Sequence, residues 1–237
     1  MEKLAPQTYD KYIKGIMDIS RAITSDLYQE DILKLIVMVT AKVTGVEICS
    51  LWLIDEGTEP LKIRLTATQA IDPDYLKDRS LSMNEGIVGY VATHKKPVII
   101  PNVLDEPRFK EKDMAKRLGL VSMVSVPLQV KNEKVIGVLN CFTAQPHAFS
   151  ETEVNLIQTV ANQAAVAIVN TELMVKTRVI QEELETRKLV ERAKEILMLR
   201  RGKTGEQAYR WIQKRSMTTR KSMRSVAEAI LLSEELD

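Results

Sequence analysis

A chain of 237 residues, 45% hydrophobic and 28% charged, has room for one domain of about 150–170 residues and a smaller one. These proportions are ordinary for a soluble globular protein, and apolar runs such as residues 32–39 and 164–169 are too short or too interrupted to span a bilayer. The net charge of +2 hides an asymmetry: residues 176–237 carry 15 Lys or Arg against 10 Asp or Glu, and the preceding 175 residues carry 19 against 22.

The stretch Met1-Glu2-Lys3-Leu4-Ala5-Pro6 has no apolar signal core, so a cytoplasmic protein is expected. Residues 8–23 place Tyr12, Ile13, Ile16, Ile19 and Ile23 at helical spacing, and a second helix is predicted over 29–43, with Gly45 placed to end it. Then the period changes. Residues 46–54 are rich in β-branched and aromatic side chains, and Leu61, Ile63 and Leu65 alternate with Lys62, Arg64 and Thr66. Two strands are predicted there, separated by the turn Asp55-Glu56-Gly57-Thr58. Residues 71–82 read as a loop with a short helical piece. Asn84-Glu85-Gly86 opens a short helix over 87–93, and residues 97–100 form a strand. Residues 104–117, polar and carrying Pro107, read as a surface loop and short helix. Strands over 121–130 and 134–143 follow, joined by the hairpin-like Lys131-Asn132-Glu133. Ser150 and Glu153 form a capping box that opens a helix with Val154, Ile157, Val160, Ala161, Ala164 and Ile168 on one face. No Gly or Pro recurs before Gly202, so one helix over 151–201, roughly 75 Å long, is allowed.

Within that helix Leu173, Thr177, Ile180 and Leu184 form a narrow seam over only about two heptads, suited to a coiled coil between two copies of the chain or, alternatively, to a solvated linker helix, with residues 173–187 as the linker. Cys49 and Cys141, both in predicted strands, read as buried free thiols. His94 suits either a helix end, where the dipole favours it, or an axial haem position, and His147 suits a surface loop. Asp72, Asp74 and Asp78 lack the glycine and closing Glu of a calcium loop and read as acidic surface. No metal cluster and no nucleophile–base constellation emerges, so no enzyme is expected.

Two N-terminal helices, a mostly antiparallel sheet and a closing amphipathic helix make an α+β sandwich. Val121-Ser122-Met123-Val124-Ser125-Val126-Pro127-Leu128, Val135-Ile136-Gly137-Val138-Leu139-Asn140 and Phe149-Ser150-Glu151-Thr152-Glu153 resemble a GAF domain. So does Gly86-Ile87-Val88-Gly89-Tyr90-Val91-Ala92-Thr93 followed by Lys96-Pro97-Val98. The resemblance covers residues 9–173. It implies a small-molecule-sensing or dimerisation module over 1–172, in which one face of the sheet and the facing loops take a cyclic nucleotide, a tetrapyrrole, a metal or nothing known. The identity of any small-molecule effector stays open. A GAF-type enzyme such as a sulfoxide reductase would need a reactive thiol near that pocket.

Residues 187–224 carry thirteen Lys or Arg against three Glu, a net +10 on 38 residues and the mark of a polyanion-facing module. Arg201-Gly202-Lys203-Thr204-Gly205 and Ser216-Met217-Thr218-Thr219 punctuate the stretch into three short helices. Leu189, Ala193, Ile196 and Leu197 face inward from the first. Ala208, Trp211 and Ile212 do so from the second, opened by a Thr204–Gln207 capping box. Met223, Val226, Ala227 and Ile230 do so from the third, which Thr219 can cap.

Val190-Glu191-Arg192-Ala193-Lys194-Glu195-Ile196-Leu197-Met198, Arg201-Gly202, Glu206-Gln207-Ala208-Tyr209, Ser216-Met217 and Val226-Ala227 resemble an ANTAR domain over 187–232. That is the three-helix RNA-binding unit of bacterial transcription antiterminators; Glu195 departs from the glycine many members carry. The resemblance implies a GAF-type antiparallel sheet flanked by helices, joined by the long helix to a small three-helix unit over 188–237. It implies binding of RNA hairpins, typically two in tandem with six-base loops, which would keep a downstream terminator from forming. The turn at 216–221 is the expected contact surface, with Arg215, Ser216, Thr219, Arg220 and Lys221 close together. Arg200, Arg201 and Lys203 reach phosphates from the other turn, Arg210 and Lys214 share one helix face, and Lys194 adds a cation on the first helix. Tyr209 reads as packing rather than as a base-stacking platform. The runner-up is a helix-turn-helix DNA regulator, because three short helices with basic turns look alike in sequence.

Overall fold

The computed structural model describes Met17 and residues 29–70 and 79–235. The helix predicted over 8–23, Met17 apart, and Asp72, Asp74 and Asp78 lie outside the described residues. The chain divides into two compact units, Met1–Glu172 and Leu173–Asp237.

The first unit is built on a six-stranded antiparallel sheet in the order β3-β2-β1-β6-β5-β4. Its strands are β1 (Ile48–Asp55), β2 (Lys62–Thr68), β3 (Ser80–Ser82), β4 (Val98–Ile100), β5 (Ser122–Val130) and β6 (Lys134–Thr143). Because side chains alternate along a strand, the sheet has two apolar faces, and each has its own helices. Cys49, Leu51, Val124, Val126, Leu139 and Cys141 turn toward α1 (Gln29–Thr44) and the start of α4 (Glu151–Arg201). Trp52, Met123, Val138 and Phe142 turn toward α2 (Gly86–His94) and α3 (Lys112–Leu118).

A bulge adjusts this alternation. Leu51 pairs with Ala67 and Trp52 with Leu65, which leaves Thr66 as an extra residue in β2. Ala67 thereby joins the α1 face while Ile63 stays on the other, an outcome a strict two-residue period would not give. Leu61, expected in the strand, lies outside it and is exposed.

Two readings of the sequence are corrected here. Residues 80–82 form an edge strand on β2, not a loop; Ser80-Leu81-Ser82 is too short and polar to carry a strand signal. Residues 104–117 form the expected loop and short helix but are not all surface: Phe109, Met114 and Ala115 are buried against the sheet. Charged neighbours at Lys110, Glu111, Lys112 and Asp113 obscure that apolar set in the sequence. The predicted capping box does form, with the Ser150 N–H donating to Glu153 at 2.7 Å and the Glu153 N–H to Ser150 Oγ at 3.3 Å.

The second unit contains α4 from Leu173 onward, α5 (Gly205–Thr219) and α6 (Met223–Glu235). Its core is Val190, Ala193, Leu197, Ala208, Ile212, Val226 and Ala227, rimmed by Leu189, Trp211, Met223 and Ile230. The three alanines let the helix backbones approach closely where larger side chains would hold them apart. Ile196, expected inside, stays outside this cluster, and Val190 is inside.

Two boundaries also move. Ser216-Met217-Thr218-Thr219 is helical, because the Thr218 and Thr219 hydroxyls fold back onto the carbonyls of Lys214 and Arg215, each at 2.8 Å, and leave the helix ladder intact. The cap of α6 is therefore Ser222, not Thr219: the Ser225 N–H donates to Ser222 Oγ at 3.1 Å.

Candidate nucleic-acid interface

Gly202 (φ 57°) ends α4, and Thr204 opens α5 through its capping box with Gln207. At the far end Arg220 stops α5 in the left-handed region, and α6 starts three residues later. Most of the basic residues predicted from sequence hang on these two corners and on the helix between them, but the structure sorts them into two kinds.

The first kind has a partner. Lys194 Nζ lies 2.8 Å from Glu191, Arg210 2.6 Å from Glu206 and Arg200 2.9 Å from Glu234. The Arg201 guanidinium lies 5.2 Å from the Trp211 ring centroid. Arg224 is tied to Glu228 at 2.9 Å and faces Glu185 at 3.7 Å, and the Glu228 carboxylate pushes its guanidinium above its usual range. Arg224 thus braces α6 to α4. The second kind is free: among the described residues Lys203, Lys214, Arg215, Arg220 and Lys221 make no ion pair. Four of these five lie between residues 214 and 221, at the α5–α6 corner. Exposed pairs are worth about 0–1 kcal/mol, so a phosphate can compete for Arg210 or Arg200, but the free cations need no exchange.

The two hydroxyls expected at this surface are committed. Ser216 Oγ donates to the Lys221 carbonyl at 2.6 Å and Thr219 Oγ1 to the Arg215 carbonyl, so each keeps only acceptor capacity toward solvent. Tyr209 is not packing: it is 43% exposed and shares the outward row of α5 with Gln213 and Met217. The four-residue spacing of that row, away from Ala208 and Ile212, is the signal that the sequence reading passed over.

In the first unit the face under α2 and α3 holds a cavity of about 20 Å³, bordered by Trp52, Ile87, Phe109, Met123, Asn140 and Phe142. That is room for about one water. Asn140, at its border, belongs to a buried polar row across three strands with Ser50 and Ser125, in which Ser125 Oγ donates to Asn140 Oδ1 at 2.7 Å and Trp52 Nε1 to Ser50 at 3.2 Å. An Arg79–Glu111 ion pair stands beside the cavity. The thiols are on the opposite face, where Cys49 and Cys141 sit across from each other with sulfurs 3.5 Å apart, both fully buried. Burial pushes the Cys49 thiol well above its usual value, which opposes thiolate chemistry. His94 ends α2 stacked on Tyr90 at 3.9 Å, and His147 Nε2 lies 2.9 Å from Glu153. Among the described residues no three His, Cys, Asp or Glu side chains are placed to share a metal ion, and no helix is long and apolar enough to cross a membrane.

Residues 29–169, more than half of the chain, match the family model of the GAF domain. The chain belongs to the GAF domain family. Residues 178–231 match a second model, that of the ANTAR domain, so a GAF domain is followed by an ANTAR domain. The GAF domain is similar to that of an Acinetobacter phosphoenolpyruvate-protein phosphotransferase (25% identity, TM-score 0.59, covering 73% of this chain and 99% of that one). It is also similar to a free methionine-R-sulfoxide reductase from Neisseria meningitidis solved with its substrate (16% identity, TM-score 0.56, 73% and 96% covered), a likeness of fold alone. The transcriptional regulatory protein PdtaR of Mycobacterium tuberculosis is 50% identical over 52 residues, 22% of this chain. The chain spans only a quarter (25%) of that curated relative.

Proposed function

We propose that this chain is a transcription antitermination regulator whose ANTAR domain binds stem–loops in a nascent transcript and whose GAF domain takes the controlling signal. The observation that carries the reading is the cluster of Lys214, Arg215, Arg220 and Lys221, exposed and without acidic partners, on a small helical unit matched by the ANTAR model. Hairpin loops offer unstacked bases and closely spaced phosphates, which suit guanidinium and ammonium groups and the exposed Tyr209 ring. The 50% identity over 52 residues to a transcriptional regulatory protein supports the same reading.

Tandem stem–loops call for two ANTAR domains, and α4 offers a means of pairing them. Leu173, Ile180 and Leu184 are 54%, 65% and 51% exposed along one face, at the spacing of a two-stranded coiled coil. A dimer through this seam would present two contact surfaces, and avidity would follow if their geometry suits both hairpins. The signal at the GAF domain acts by changing that pairing, and the protein itself performs no chemistry.

The test is single-round transcription on a template with tandem stem–loops ahead of a terminator. The chain is expected to raise read-through, and a template without the stem–loops is expected to give none. Equal termination on both templates with and without protein would end this reading.

A further inference from the structure

The corner between α5 and α6 is closed by an arginine where glycine is the usual residue. Arg220 sits at φ 55°, ψ 29°. Its N–H reaches the Met217 carbonyl at 3.4 Å and the Lys221 N–H reaches the Ser216 carbonyl at 3.2 Å, the paired bonds of a Schellman stop. A side chain in this region carries a strain that glycine avoids. Elsewhere among the described residues α1, α3 and α4 stop on Gly45, Gly119 and Gly202, with φ of 78°, 65° and 57°. The other exception, Lys95 after α2, is tied down by its carbonyl, which accepts from Gln129 Nε2 at 3.2 Å. Arg220 has no such tie, and among the described residues its side chain makes no ion pair. The helix dipole favours a cation here, but Lys221 supplies one without the strained backbone.

Ser216 completes the corner. Its carbonyl accepts from the Lys221 N–H while its hydroxyl donates to the Lys221 carbonyl at 2.6 Å, so the two residues are linked in both directions. The backbone that carries Arg220 and Lys221 is held before any ligand arrives, and less chain entropy is lost on binding.

We propose that this corner is a preformed phosphate-contacting element, in which Arg220 touches the RNA backbone and Ser216 is a positioning residue that never does. The proposal rests on the ANTAR domain binding RNA. It assigns the strain at Arg220 to function and removes Ser216 from the contact surface.

The experiment uses the full chain, a synthetic RNA with two six-base-loop hairpins, fluorescence anisotropy over a range of KCl, and thermal melting. Arg220→Gly is expected to melt at or above the wild-type temperature yet bind about tenfold more weakly, with the salt slope reduced by about one for each ANTAR domain engaged. Ser216→Ala is expected to bind about three- to tenfold more weakly with the slope unchanged, and Ser216→Thr to restore binding. Wild-type-like binding by Arg220→Gly, or its melting below wild type, overturns the proposal, as does a changed slope in Ser216→Ala or no rescue by Ser216→Thr. Failure of the wild type to bind the hairpins overturns the RNA reading and this corner with it, whereas binding by the wild type with unaltered variants overturns the corner alone.

Discussion

The GAF and ANTAR domains treat polar groups in opposite ways. In the GAF domain charged groups pair locally, Arg64 with Asp55 across two strands (2.6 Å) and Arg108 with Glu106 within a loop (2.8 Å), while Ser50, Asn140 and Ser125 are satisfied inside the sheet. In the ANTAR domain the core is seven buried residues, three of them alanine, and among the described residues Lys203, Lys214, Arg215, Arg220 and Lys221 lie outside it without an ion pair. A unit with so little apolar surface to bury has little stability to spare, so its excess charge needs an explanation other than folding. The proposed binding of a polyanion supplies one.

Five variants and one labelling experiment sharpen the contrast. The largest effect is expected at Gly137, where an added Cβ would lie 2.2 Å from the Trp52 carbonyl oxygen and 3.2 Å from the Leu53 Cα. Gly137→Ala should cost the GAF domain upward of about 4 kcal/mol in urea unfolding, because neither contact can move aside cheaply. Ile212→Ala should cost the ANTAR domain about 3 kcal/mol, enough to unfold a core of that size. Trp52 and Trp211 report the two domains separately, and loss of the Trp52 signal in Ile212→Ala would contradict their independence.

For each ANTAR domain engaged, Lys214→Ala with Lys221→Ala should reduce the salt slope of hairpin binding by about two, and Lys194→Ala, whose ammonium is held by Glu191, by less than one. Cys49 and Cys141 should stay unlabelled by a thiol reagent in the native protein at pH 8 and react once it is unfolded; fast native labelling would reopen the enzyme reading. The smallest effect is electrostatic. The Arg108 side chain, helped by its backbone N–H, holds the Glu106 carboxyl down from 4.5 to about 2. A depressed carboxyl stabilises the fold above its unfolded value and loses that contribution as pH falls toward 2. Arg108→Met should bring Glu106 back toward 4.5 in an NMR titration.

Much of the fold was legible because burial follows period. The strand over 134–143 falls where apolar, β-branched residues put it, and the helix over 151–201 where apolar spacing and the absence of Gly and Pro put it. The failures have physical causes as well. The Thr66 bulge is invisible to any fixed period, and Phe109, Met114 and Ala115 are buried from a segment whose charges point to solvent. Ser216-Met217-Thr218-Thr219 looked like a break because hydroxyl residues favour turns, yet here the threonine hydroxyls bond within the helix. At the interface the sequence supplied the basic residues but not which of them are free. That depends on acids brought near by the fold, such as Glu234 beside Arg200 across 34 positions.

The account turns on the ANTAR cations meeting folded RNA rather than any polyanion. The most direct measurement is equilibrium binding of the full chain to a two-hairpin RNA and to duplex DNA of equal charge, at the same KCl concentration. A phosphate contribution common to both ligands cannot separate them, so the account predicts at least about tenfold tighter binding to the hairpins. Equal affinity for the two, or tighter binding to the duplex, would contradict it.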